Sequence, residues 1–237
     1  MGGASCHAVR AAHPQPPASS GVRDGLAYDL FLPAGEPCAG VVILHGADSG
    51  RLSHLQFARR CAAHGLAAVA FDLRGHGDSG GALDRGVVGD VAAMAALLPP
   101  VPLALRGSSM GGYLALVAGA ELGAAAVVAI CPATGAGLAR GVRDGRFGFA
   151  AGPALLPFLE HHDAAAAARA LGDRLLLLHA EGDEVVPVMV SRELHAAAPA
   201  SRLVVVPGGH HRSVQHDPEL QDLSVRFVLR AARASRA

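Results

Sequence analysis

Gly107-Ser108-Ser109-Met110-Gly111 sets a serine between two glycines, the spacing of a nucleophile carried on a tight strand-to-helix turn. Ahead of it, Val101-Pro102-Leu103-Ala104-Leu105-Arg106 is a short apolar stretch bounded by prolines and predicts a buried strand. Behind it, residues 112–120 are long and alanine-rich enough for a helix packed on its apolar faces. In so tight a turn, side chains at 107 and 111 would collide with neighbouring backbone, which calls for glycine. Ser109 is then expected in a strained conformation that lifts its hydroxyl clear of the sheet, at a helix N-terminus. The pattern alone proves little: 30 glycines and 13 serines among 237 residues supply it by chance about 0.2 times.

A serine hydroxyl is a poor nucleophile at neutral pH, so it needs a base, and the base needs an orienting acid. The candidate acid is Asp183, in His179-Ala180-Glu181-Gly182-Asp183-Glu184-Val185-Val186-Pro187, a loop between a buried strand and a helix that Pro187 begins. Candidate bases follow the last predicted strand, in Pro207-Gly208-Gly209-His210-His211-Arg212-Ser213-Val214-Gln215-His216-Asp217. All three positions fall at the carboxyl ends of predicted strands, where open α/β sheets hold their sites.

The elements that must carry these groups alternate. Strands are predicted at 26–32 (an outer strand), 39–44, 66–71, 101–106, 124–130, 175–178 and 203–206. Helices are predicted at 52–64, 89–98, 112–120 and near 187–197 and 218–232. Such alternation implies right-handed crossovers, hence an α/β fold with a mostly parallel central sheet flanked by helices, in one domain spanning 1–237. Residues 1–25, with the run His13-Pro14-Gln15-Pro16-Pro17-Ala18-Ser19-Ser20, read as an exposed N-terminal connection. Between Cys131 and Gly172 the rhythm breaks, and residues 132–172 or so are expected to form a small cap ending in an alanine helix capped by Asp163. Its apolar residues Phe147, Phe149, Leu155 and Phe158 are candidate linings of an acyl pocket; the alternative is that they seal the core beneath the cap.

Composition excludes several partners. Twenty acidic residues balance twenty basic ones, so there is no electrostatic case for nucleic acid or an anionic membrane, and a small molecule is the expected partner. All twenty basic residues are arginine, and Lys, Asn and Trp are absent, which a GC-rich coding bias explains better than any function. Cys6, Cys38, Cys61 and Cys131 have neither metal nor disulfide spacing and suit a reducing compartment. No apolar leader region or membrane-length apolar stretch is visible, so a cytoplasmic protein is expected. His161-His162 and His210-His211-x4-His216 lack ligand spacing, so neither metal nor cofactor is expected.

Five segments together resemble the α/β-hydrolase superfamily, in particular its small, lightly capped serine esterase-like members, over roughly residues 26–230. They are His45-Gly46, Asp72-x-Arg74-Gly75-x-Gly77-x-Ser79, the Ser109 elbow, Gly182-Asp183-x-Val185-Val186-Pro187 and Gly208-Gly209-His210-His211, with Ser, Asp and His in that superfamily's order. The resemblance implies the α/β-hydrolase fold with a short cap insertion, Ser109 as nucleophile, Asp183 as acid and His211 as base. It implies an oxyanion hole from the backbone N–H groups of Met110 and Ala47. The superfamily's Gly-x-x-His, counted from Gly208, reaches His211; a loop shifted by one residue would present His210 instead. The activity implied is cleavage of a carboxylic ester or thioester of a small acyl substrate through an acyl-enzyme. A peptidase, amidase or perhydrolase with the same triad, or a non-catalytic ligand-binding protein on the same scaffold, are the alternatives. Serine at 109 departs from the cysteine of dienelactone hydrolases and the aspartate of haloalkane dehalogenases. His45 is expected to brace its loop, the 72–81 segment to be a scaffold turn with Arg74 free to bind a carboxylate or carbonyl, and Asp217-Pro218 to start a helix. Oligomeric state is left open.

Overall fold

The computed structural model describes residues 14–235. Eight strands form one sheet in the order β1-β2-β4-β3-β5-β6-β7-β8. They are β1 (Ser19–Arg23), β2 (Leu26–Phe31), β3 (Gly40–Leu44), β4 (Ala67–Phe71), β5 (Leu103–Ser108), β6 (Ala126–Ile130), β7 (Leu175–Ala180) and β8 (Arg202–Val206). From β4 to β8 the pairing is parallel; β1 and β2 run antiparallel at one edge. Strands β3, β4, β6 and β7 are buried along their whole length, as continuous Val/Leu/Ala runs require when helices cover both faces.

The helices are α1 (Leu55–Ala63), α2 (Val87–Ala95), α3 (Met110–Glu121), α4 (Gly135–Arg143), α5 (Leu155–His161), α6 (Ala164–Leu171), α7 (Met189–Ala197), α8 (Ser213–His216) and α9 (Pro218–Ala234). On one face, Phe57 and Cys61 of α1 and Val225 and Val228 of α9 pack against Val41 and Ile43 of β3. On the other, α2 and α3 cover the sheet, and α6 packs outside α3. Among the described residues, no helix is long and apolar enough to cross a membrane.

Two expectations need correction. Residues 19–23 are not a connection but the edge strand β1, so β2 is not outermost. Ser-Ser-Gly-Val-Arg is exposed almost throughout and shows no apolar alternation, so periodicity passes over it. The signal that marks it is Asp24-Gly25, a two-residue hairpin with φ of 53° and 79°, as a type I′ turn requires. Helix α4, inside the cap, was also not anticipated; Thr134 caps it by accepting the Gly137 N–H at 3.0 Å. Cys6 lies outside the described residues.

The sheet order dictates where a site can form. The chain leaves β3 to make β4 on one side, then crosses back to make β5 on the other. The carboxyl ends of β3 and β5 therefore diverge around a crevice, with Leu44 in register with Gly107. His45-Gly46-Ala47 and Ser109 emerge there side by side. The long loop after β4 is held as a scaffold. Arg51 binds Asp29, Asp72 and Asp78, and Arg74 binds Asp90 at 2.8 Å and the Asp24 carbonyl at 3.0 Å. His45 donates from Nδ1 to the Gly46 carbonyl at 2.7 Å and accepts the Leu73 N–H at Nε2, at 2.9 Å. Burial lowers its pKa to about 4, which keeps the ring neutral and able to accept. It braces two loops, as expected.

Candidate active site

Ser109 has φ 55° and ψ −118°, a conformation that a residue with a Cβ adopts only when its surroundings impose it. The surroundings are explicit. A Cβ on Gly107 would lie 2.0 Å from the Gly111 carbonyl oxygen, and one on Gly111 would lie 2.4 Å from the His45 carbonyl oxygen. Both glycines are required by close backbone approach. The Ser109 N–H donates to the Ile130 carbonyl at 2.9 Å, and its carbonyl accepts from Tyr113 and Ala133. The turn is thus tied to β6 and α3 while the side chain stays outside the ladder. Met110 opens α3, so its N–H is among the first four of the helix, which have no intrahelical acceptor.

Asp183 follows β7 with its side chain fully buried. Oδ1 accepts the N–H groups of Val185 (2.9 Å) and Val186 (2.8 Å), and Oδ2 accepts from Nδ1 of His211 at 2.7 Å. Burial opposes its charge, but the two amides, His211 and the Cys131 thiol outweigh it and hold the carboxyl below its usual range. With Nδ1–H committed to Asp183, His211 presents Nε2 as its acceptor. Ser109, Ala47 and His211 line one small cavity of about 60 Å³. His210, by contrast, is exposed; its Nδ1 accepts from the Arg212 N–H at 3.3 Å and its carbonyl accepts from Ser213. The difference arises in Gly208 and Gly209, at φ 64° and 74°, which turn the chain so that the second histidine, not the first, meets Asp183. The Gly182 N–H donates to the Gly208 carbonyl at 3.0 Å and joins the acid and base loops.

Three further residues, of which the sequence did not single out His179 and Arg106, support this constellation. His179 is fully buried: Nε2 donates to the Val186 carbonyl at 2.9 Å, Nδ1 accepts from Ser191 at 2.7 Å, and Nε2 lies 3.4 Å from Asp183 Oδ2. Burial lowers its pKa. Cys131, at φ 43°, bonds to Asp183, and burial pushes its thiol up. Donor atoms of Cys131, His179 and Asp183 lie within 4.8 Å of one another, but each is already engaged in the hydrogen-bond shell of the carboxylate. Arg106, read only as part of an apolar strand, is buried over the Phe57 ring at 3.9 Å and donates to the Gln215 carbonyl at 3.0 Å. It thereby anchors α8, the helix that follows the His211 loop.

Residues 35–151 match the model of the family described as serine aminopeptidase, S33. A monoacylglycerol lipase of Mycolicibacterium smegmatis is 35% identical over 112 residues, which cover 43% of this chain and 39% of the lipase. The match thus spans about two-fifths of that relative's length. Among solved structures, a monoacylglycerol lipase from Paleococcus ferrophilus superimposes with TM-score 0.69 at 19% identity, over 87% of this chain and 99% of the other. Est1E from Butyrivibrio proteoclasticus, solved with ferulic acid bound, gives TM-score 0.69 at 21% identity, over 90% and 97%. The chain has the α/β-hydrolase fold. 

In this α/β-hydrolase fold the crevice opens into a cavity of about 440 Å³ against the cap, bounded by Ser109, Ala47, Leu138, Phe147, Val186 and Val190. Of the four cap residues expected to line an acyl pocket, only Phe147 does so. Phe149, Leu155 and Phe158 are 9%, 1% and 5% exposed and belong to the main core beneath the cap, so their bulk seals the fold instead. Phe149 stacks on His76, and Phe158 meets His162 at a tilt. Phe158→Ala should therefore cost about 3–5 kcal/mol in urea unfolding and leave the acyl chain-length preference unchanged. A changed preference without lost stability would return Phe158 to the pocket. His162 lies 3.2 Å from Glu121 of α3 and edge-on to His161, and His216 bonds Gln215. Asp217 accepts from Glu219 and Leu220 as the cap of α9, as expected.

Proposed function

We propose that this chain is a serine hydrolase that cleaves a carboxylic ester or thioester of a small acyl substrate, with Ser109 as nucleophile, His211 as base and Asp183 as orienting acid. The observation that carries the reading is the His211 Nδ1 to Asp183 Oδ2 hydrogen bond of 2.7 Å, which leaves Nε2 as acceptor in the cavity that the strained Ser109 shares. His211 Nε2 takes the hydroxyl proton as the bond from Ser109 Oγ to the acyl carbon forms. The N–H groups of Met110 and Ala47 receive the oxyanion. The proton then passes to the leaving alkoxide or thiolate as its bond to carbon breaks. Water, deprotonated by His211, attacks the acyl-enzyme, releases the acid and restores Ser109. No metal or cofactor takes part.

The ester class is supported by the lipase relative. The S33 family description would favour an amide with a free amino terminus, but the cavity beside Ser109 counts against that. Such a substrate is a cation, and the charged side chains lining the cavity are Arg140 and Arg146. Buried thiols outside any disulfide at Cys61 and Cys131 suit the reducing cytoplasm. A fluorophosphonate probe should label the protein stoichiometrically at Ser109. A panel of p-nitrophenyl esters and acyl-CoA thioesters of graded length should then rank its substrates. Absence of both labelling and turnover would overturn the reading in favour of a ligand-binding protein.

A further inference from the structure

The cavity against the cap is charged in one sense. Arg140 and Arg146 line it together with Ser109, and no acidic residue does. The acids nearby are otherwise disposed. Asp144 binds Arg146 at 2.6 Å, Glu160 binds Arg143, Asp48 accepts the Gly148 N–H at 2.6 Å, and Glu184 accepts the His211 N–H at 3.2 Å. Arg146 is thus neutralised by its neighbour. Among the described residues, Arg140 has no carboxylate partner, although Asp144 lies one helical turn beyond it on the chain. Beside Thr134, the rest of the wall is apolar, from Leu138, Phe147, Val185, Val186, Pro187 and Val190.

An unpaired guanidinium on an otherwise apolar wall, in the cavity that holds the nucleophile, is a receptor for a planar anion, which Arg binds through two parallel N–H groups. Resting on the hydrolase reading above, we propose that the substrate carries a carboxylate on the portion seated in this cavity, and that Arg140 selects it. The apolar wall takes the intervening methylenes, and the carboxylate stays intact through the reaction. Arg140 lies at the end of α4, where a cation also complements the helix dipole; a role confined to the helix would leave substrate choice untouched.

The test compares two pairs of fluorogenic esters. In the first, a monoester of adipic acid is set against the hexanoate of the same phenol. In the second, a hexanoate of a carboxylated phenol is set against that of the neutral phenol. In one of the two pairs the anionic ester should have the higher kcat/KM, by about five-fold at low ionic strength, the scale of an exposed ion pair. High salt should shrink that ratio. Arg140→Gln should bring it close to one, and Arg140→Glu should reverse it, with unfolding midpoints measured alongside to verify that both variants fold. Turnover of the neutral esters with no anionic preference in either pair, or a preference that survives Arg140→Gln, would overturn the proposal while leaving the hydrolase reading standing. Failure of all four esters together with failure of fluorophosphonate labelling would overturn both.

Discussion

Ser109→Ala is expected to lower kcat by about 10⁴- to 10⁶-fold, to abolish fluorophosphonate labelling and to leave the unfolding midpoint almost unchanged. The size follows from the triad proposed above: such groups act as a unit, so loss of the nucleophile forfeits nearly all that base and acid contribute. The fold survives because Ser109 is held by its backbone. Its N–H donates to Ile130 and its carbonyl accepts from Tyr113 and Ala133, and alanine keeps all three bonds. Alanine also keeps a Cβ at φ 55°, so the strain of the turn is neither relieved nor increased. Hydrolysis at a near-normal rate would show that the elbow is a scaffold and that the chemistry lies elsewhere.

Asp183→Asn should lower kcat by about 10⁴-fold with little change in KM. The amide has only one arrangement that fits. Its oxygen must face the N–H groups of Val185 and Val186, which turns its NH₂ toward His211 Nδ1. His211 must then accept at Nδ1 and carry its proton on Nε2, where it can no longer take one from Ser109. His211→Ala should be at least as damaging, whereas His210→Ala should stay within a few-fold of wild type, because its exposed ring hydrogen-bonds the backbone of its own loop and not Asp183. A larger loss for His210→Ala than for His211→Ala would move the base by one residue. Stability gives a second readout. Since Asp183 is held below its usual range, its carboxylate stabilises the fold at neutral pH and that contribution is lost as pH falls through the lowered value. The unfolding free energies of wild type and Asp183→Asn should therefore differ at pH 7 and converge in acid.

The alternation of apolar runs and turns in the chain determined an α/β fold with a mostly parallel sheet, because strands covered on both faces must be continuously apolar. The elbow was legible for a similar reason: Gly107 and Gly111 are demanded by backbone contacts that no other residue can make, so their spacing survives in the sequence. Asp183 was legible because a carboxylate closing its own turn onto Val185 and Val186 is a local device. Edge strand β1 escaped notice because a solvated edge has no buried face to impose a pattern. The Gly-x-x-His spacing already pointed to His211, and the tertiary structure shows why that residue meets Asp183: the dihedrals of Gly208 and Gly209 set which of two adjacent histidines turns inward. It alone decided that Phe147 faces the cavity while Phe149, Leu155 and Phe158 face the core. A large apolar side chain has the same composition in either place, and what differs is which helix lies over it. Arg140 follows the same logic in reverse: its meaning lies in the carboxylates that found other partners, and that is a property of three dimensions.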